Sequence, residues 1–280
     1  RELMELFTLG QGIGYTEHDI KEVARAFTGW SFDDQFNFTI KEKQQDTDTK
    51  NIFEKTQNYN GYEVIDLILE KKECLIHVAQ KLYKFFVNEN IVDEHVQEIA
   101  SVLYNSGYDI KDAMMALFMS SWFYESKGKL IKSPIDLIVG LGKTFNLKFD
   151  ETSTLINSQH YLGQILFKPP NVAGWPSGKL WIDSSRLAYR IRLGSLFINK
   201  GILEIESSPE IDAMIPKEAK KVVAKFNEEI DWKKFWKENQ SSNAFEILIR
   251  NENELLEKKF SNQENLSVIQ LVSTPDYQLT

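Results

Sequence analysis

Apolar residues recur at helical spacing in one segment after another, and that period confines the chain to a fold of packed helices. Ile20, Val23, Ala24 and Phe27 stand at i, i+3, i+4 and i+7. Val96, Ile99, Ala100 and Leu103 repeat the pattern, and so do Ile110, Ala113, Met114 and Leu117. Leu75, Val78, Ala79, Leu82 and Phe86 form a longer stripe. Thr16 with Asp19 marks a helix start, and Ser133-Pro134-Ile135-Asp136 marks another: Ser caps, Pro takes the first turn and Asp faces the macrodipole. Two segments interrupt the pattern. Residues 31–60 place Phe32, Phe36, Phe38 and Ile40 in partial alternation ahead of a polar run, which predicts a short strand, an extended loop or a small hairpin. Residues 168–183, rich in Pro, Gly and Trp, predict a long ordered loop. After Gly201 the composition shifts. Residues 201–216 read as a linker with Pro209 and Pro216, and charged amphipathic helices follow to about 272, with Phe226, Ile230, Trp232, Phe235 and Trp236 on their apolar face. The expected fold is mostly α: a main helical domain over 1–200 and a C-terminal helical extension over 201–280 packing on it.

The charge balance narrows the partners. Asp and Glu number 41 against 33 Lys and Arg, a net charge of −8, and the basic residues are scattered. Phosphate backbones are bound by clustered cations, so nucleic acid is excluded as the main partner. No stretch approaches the roughly 18 apolar residues that span a bilayer. The single Cys74 precedes an apolar stripe and reads as a buried structural thiol.

Short motifs that suggest chemistry are incomplete. Gly10-Gln11-Gly12-Ile13-Gly14 lacks the third glycine of a dinucleotide fingerprint, having Tyr15 there, and reads as a loop between helices. Ile138-Val139-Gly140-Leu141-Gly142-Lys143-Thr144 has Leu137 where a phosphate loop needs glycine, and the Ser-Pro start makes it helix interior. Asp46-Thr47-Asp48-Thr49-Lys50 opens like a calcium loop, but a cation stands where the third oxygen ligand belongs and Gln57 closes it. His18, His77, His95 and His160 are far apart, and nothing in their spacing proposes a metal or a cofactor.

What remains is a polar and aromatic set in loops: Tyr15, Trp30, Asp46, Lys50, Asn171, Trp175 and Trp181. Tryptophans in loops either pin the loop to the core or present a stacking surface, for example to a polysaccharide on Trp175 and Trp181; pinning is the commoner use. Arg186 and Arg190 either hold an acidic group or pair with Asp183 and Glu2. Arg1, Glu2, Arg25 and Arg190 are candidates for an internal ion-pair network. A catalytic reading requires Glu2, Glu5, Asp46 or Asp183 to be gathered by the fold, so that one carboxyl holds a proton at neutral pH. No motif assigns a catalytic residue.

Five segments in order resemble one family. RELMELFTLG, YTEHDIKEVARAFTGW, KSPIDLIVGL, LGQILFKPPNVAGWPSGKLWIDSSRLAYR and the closing STPDYQ are similar to the bacterial family called domain of unknown function 1800. The resemblance covers most of residues 1–199 and the last few, and the style is like members from the Bacteroidetes. It implies a further helical region upstream of Arg1, an export signal and hence a periplasmic or cell-surface location. It also implies a neighbour from the domain of unknown function 1501 family, which resembles phosphatases and sulfatases, as a partner. It assigns no catalytic role. In the loop matching 45–54, relatives often carry His-Asp, then Gly-x-Lys, then Leu-Gly. Here Gln45-Asp46, Asp48-x-Lys50 and Phe53-Glu54 stand there, so Asp46 and Lys50 are kept while the His and both glycines are not. The expected function is a binding or accessory component of an envelope or surface assembly; a carboxylate hydrolase and a purely structural module are the alternatives.

Overall fold

The computed structural model describes residues 1–147, 152–198, 202–206, 221–225, 230–239, 244–260 and 263–280. The fold is mostly α, as the periodicity predicts. It divides by contacts into two units, residues 1–86 with 90–123, and residues 87–89 with 124–280.

The first unit opens with a wide helical turn over Leu3–Thr8. Helix α1 (Glu17–Ala26) follows, then β1 (Trp30–Phe32) with β2 (Phe38–Ile40), β3 (Lys50–Ile52) with β4 (Lys55–Gln57), α2 (Gly61–Leu69), α3 (Lys72–Phe86), α4 (Asp93–Asn105) and α5 (Ile110–Met119). The insertion over 31–60 is thus two antiparallel hairpins, with Trp30 opposite Ile40 in the first and Ile52 opposite Lys55 in the second. The expected start signal at Thr16 is a reciprocal capping box: its hydroxyl accepts from the Asp19 N–H while Asp19 accepts from the Thr16 N–H; Asn60 and Glu63, not expected from sequence, do the same for α2. Met4, Leu9, Ile20, Val23, Ala26, Ile52, Val64, Ile68 and Cys74 share one core. The Cys74 thiol is 1% exposed and burial pushes its pKa up, so it is a packing residue.

The second unit holds α6 (Ser121–Glu125) at its boundary, then α7 (Pro134–Thr144), α8 (Thr152–Leu162) and α9 (Ser184–Ile198), with the loop between α8 and α9 broken only by a short helical turn at Gly178–Trp181. Ser133 caps α7 in a third capping box, and Pro134 sits in its first turn. Helices at Trp232–Glu238, Ala244–Leu248, Glu254–Lys259 and Asn265–Val272 follow. Leu137, Ile138 and Leu141 of α7 and Tyr189, Leu193 and Phe197 of α9 share a core with Phe235, Phe245, Leu248, Val268 and Leu271. Gly194 lets α9 approach Val272 closely, where a Cβ would meet the valine side chain. Ile230, Trp232 and Trp236 pack against this core as expected; Phe226 lies outside the described residues. One expectation fails. Ile202–Glu206, read as linker, and Lys221–Lys225, read as helix, form an antiparallel strand pair, β5 with β6. Ile202, Ile205, Val222 and Val223 are β-branched residues that suit a pleated ladder, and that preference outweighs the surrounding charge.

Candidate functional site

Two charged constellations are built by the fold, one in each unit. In the first, α1 presents Asp19, Glu22 and Arg25 toward the hairpins. Asp19 Oδ1 accepts the Phe53 N–H at 2.7 Å, and Glu22 Oε2 accepts the Asn51 N–H at 2.9 Å. Arg25 donates from Nε to Asp46 Oδ2 at 2.7 Å and from Nη2 to Asp46 Oδ1 at 3.1 Å, a two-pronged pair, while Nη1 reaches Glu22. Thr28 joins the two segments by donating to the Arg25 carbonyl and accepting the Asp46 N–H, each at 2.7 Å.

At the centre lies Lys50, 0% exposed. Its ammonium donates to the carbonyls of Asp46 and Asp48, both at 2.8 Å, and to Asn58 Oδ1 at 3.2 Å, with Asp46 Oδ1 at 3.8 Å. The residue that spoils the calcium-loop spacing therefore supplies the loop's cation itself. Its three protons meet three oxygens. The Arg25 hydrogen bond holds Asp46 below the usual carboxylate range. The Asn51 N–H and then Arg25 do the same for Glu22. For Asp19 burial pulls upward, but hydrogen bonds from Thr16 and Phe53 outweigh it, and the net shift is down.

These directions bear on catalysis. An acid–base pair needs one carboxyl pushed up, whereas the displaced carboxylates Glu17, Asp19, Glu22, Asp33 and Asp46 all move down. Of the four carboxylates expected to be gathered, Glu5 pairs with Arg1 at 2.8 Å, Asp46 with Arg25, and Asp183, in the second unit, with Arg186 at 3.2 Å. Glu2 is exposed and forms no ion pair among the described residues. Each of these three acids thus faces its own arginine.

The second constellation joins three of the segments that carry the family resemblance. Lys132 precedes α7, Arg190 lies on α9, and Tyr277 and Gln278 lie in the short helical turn Asp276–Gln278. Backbone bonds bring them together: the Lys132 N–H donates to the Gln278 carbonyl at 2.8 Å, and Leu130 and Thr280 exchange two bonds beside it. Arg190 is 0% exposed. Its Nη2 donates to the Lys132 carbonyl at 2.6 Å and its Nε to Gln278 Oε1 at 3.1 Å. Lys132 Nζ donates to the Tyr277 carbonyl at 2.6 Å and lies 3.9 Å from the centre of the Tyr277 ring. Burial, then Arg250 and Arg190 nearby, push the Lys132 pKa down to about 8. Burial pushes Arg190 down to about 10.

The remaining predicted site residues serve loops. Tyr15 is half-buried, and its hydroxyl accepts the Gly12 N–H at 2.9 Å, fixing the glycine loop between the opening turn and α1. Trp30 packs edge-on against Phe27 at 4.8 Å and Phe38 at 5.1 Å, with Gly61 directly beneath its ring. Asn171 accepts the Ala173 N–H at 2.9 Å in a local turn. Trp175 is half-buried, and its buried Nε1 has no partner among the described residues. Trp181 is 3% exposed, so it offers no face to a sugar, and the stacking platform of Trp175 with Trp181 is not formed. Arg1, Glu2, Arg25 and Arg190, the candidates for an internal ion-pair network, are each placed by their own surroundings. Arg1 pairs at the surface with Glu5 and Glu17, Arg25 with Glu22 and Asp46, and Arg190, among the described residues, bonds only to neutral oxygens. Sequence reasoning missed Lys132 and Gln278. Tyr277, which Lys132 contacts, is 145 residues away from it in the chain, beyond the reach of any local pattern.

Among the described residues no group of three or more His, Cys, Asp or Glu could hold a metal ion, and no helix is long and apolar enough to cross a membrane. No curated protein and no solved structure matches the chain. A family model described as "Protein of unknown function (DUF1800)" matches residues 1–279. The five ordered segments and this match agree: the chain belongs to the DUF1800 family.

Proposed function

We propose that this chain is a binding module, an accessory component of an assembly outside the cytoplasm, and that it engages a protein partner through aromatic side chains held on rigid turns. One observation carries the reading. At the tip of the first hairpin Phe36 is 83% exposed and Phe32 62%, and their rings stack at 5.7 Å and 14°. Phe38 and Tyr62 are exposed as well. An exposed stacked pair of phenylalanines contributes nothing to the core, and such patches mark contact surfaces.

The turn beneath the pair is fixed. Asp33 Oδ1 accepts the N–H groups of Gln35 and Asn37, each at 2.9 Å, and the Asp33 N–H donates to the Asn37 carbonyl at 2.9 Å. Phe36 itself has φ 64°, a left-handed conformation that disfavours a bulky side chain by roughly 1 kcal/mol or more. A turn that tolerates this strain to hold a ring in water is arranged for contact. Preorganised aromatic anchors lose little entropy on binding. In the second unit Phe167 repeats the device, with φ 62° and 96% exposure.

The partner we assign is a protein of the domain of unknown function 1501 family. The experiment is a binding titration of the purified chain against such a protein from the same cells. The expected result is saturable binding; no binding to any such partner would defeat the assignment.

A further inference from the structure

We infer that Lys132, Arg190 and Gln278 form a buried binding site for a small oxyanion, a phosphate, sulfate or carboxylate group. The inference is independent of the partner surface described above. It starts from the electrostatics of burial. A charged side chain removed from water is ordinarily paired with an opposite charge, because neutral partners alone do not replace its hydration. Arg190 is completely buried and forms no ion pair among the described residues. Its Nε and Nη2 bond to an amide and a carbonyl oxygen, and its buried Nη1 has no hydrogen-bond partner among the described residues. Gln278, 4% exposed, uses Oε1 for Arg190 and leaves its buried Nε2 without a partner among the described residues. Lys132 likewise bonds to a neutral carbonyl and an aromatic face.

Donors therefore outnumber acceptors here, and two cations that repel one another converge with Arg250 close enough to add to the repulsion. Asp136 is the acid in Coulombic reach, but it is exposed, and its carboxylate is occupied in capping the Ser133 N–H. An oxyanion supplies both things the cluster needs, negative charge and acceptor oxygens, and guanidinium groups suit that geometry. A neutral water would satisfy the donors and leave the charge uncompensated. The surroundings are firm: the Ile131–Leu279 bridge and the Leu130–Thr280 bonds fix the backbone, so the donors are held in place before the ligand arrives.

The test is thermal unfolding of the whole chain at constant ionic strength, with chloride replaced stepwise by phosphate, sulfate or acetate. The expected result is a midpoint that climbs by several degrees with the logarithm of at least one oxyanion concentration, as ligand linkage requires. Lys132→Met should weaken that rise at least tenfold in apparent affinity, while the exposed Lys168→Met keeps it. If Lys132→Met does not fold, line broadening of inorganic phosphate in ³¹P spectra with the wild-type chain and with Gln278→Leu decides, broadening that is lost in the variant being expected. Equal midpoints in every salt with no broadening would overturn the site in favour of water. An oxyanion effect unchanged in both Lys132→Met and Gln278→Leu would overturn it by placing the ion elsewhere.

Discussion

Phe53 and Glu54 form the two-residue turn between β3 and β4, with φ 52° and 65°. A turn of that shape favours glycine or asparagine. Glu54 holds it here at a conformational cost, so Glu54→Gly should raise the unfolding free energy by about 0.5–1 kcal/mol in urea denaturation. No change, or a loss, would show that the Glu54 side chain compensates. The neighbouring Lys50 was legible as a departure from a calcium loop but not as that loop's own cation, because spacing does not say which way an ammonium turns. Its three acceptors lose their donor in Lys50→Met. That change should cost about 3 kcal/mol by the same measurement, and a loss below about 1 kcal/mol would mean that the oxygens find water instead.

Elements were the most legible scale. Thr16, Ser133 and the apolar stripes located α1, α7 and the helices of the first unit, because capping and amphipathic period are local properties. Ser133→Ala removes the side-chain acceptor for the Asp136 N–H and should destabilise the second unit by about 1 kcal/mol. The strand pair β5–β6 was not legible, since the charged residues around five-residue strands imitate a solvated helix face. Acid should act on the α1–hairpin junction. Asp19, Glu22 and Asp46 all sit below the ordinary carboxylate range, so they contribute stability above about pH 4 that is lost as pH falls through their lowered values. Amide exchange in β3 and β4 should rise there; protection unchanged on acidification would contradict the junction's dependence on charge.

For the whole molecule the alkaline limb reports on the buried cluster. Lys132 faces Tyr277, Arg190, Arg250 and Asp136, and its pKa falls from 10.5 to about 8. Below pH 8 the ammonium is charged in both states and its burial opposes folding in full. Between about 8 and 10 the folded chain sheds a proton that the unfolded chain keeps, so stability should rise. Above 10 it should fall, because burial pushes Tyr189 and Tyr277 up and they hold protons the unfolded chain loses. Lys132→Met should abolish the rise. This cluster was half visible in sequence: Arg190 stood out, but its partners come from separate motifs that only the folded chain brings together. The aromatic hairpin was visible as alternation, while its outward direction was not, since sequence does not state which face of a two-stranded ribbon is covered. The central claim is that this hairpin is a binding surface. The most direct test is the affinity of the proposed partner, a domain of unknown function 1501 protein, for the wild-type chain and for Phe32→Ser/Phe36→Ser. Both side chains are exposed, so the variant should fold with an unchanged unfolding midpoint and bind at least tenfold more weakly; a folded variant that binds with undiminished affinity would contradict the claim.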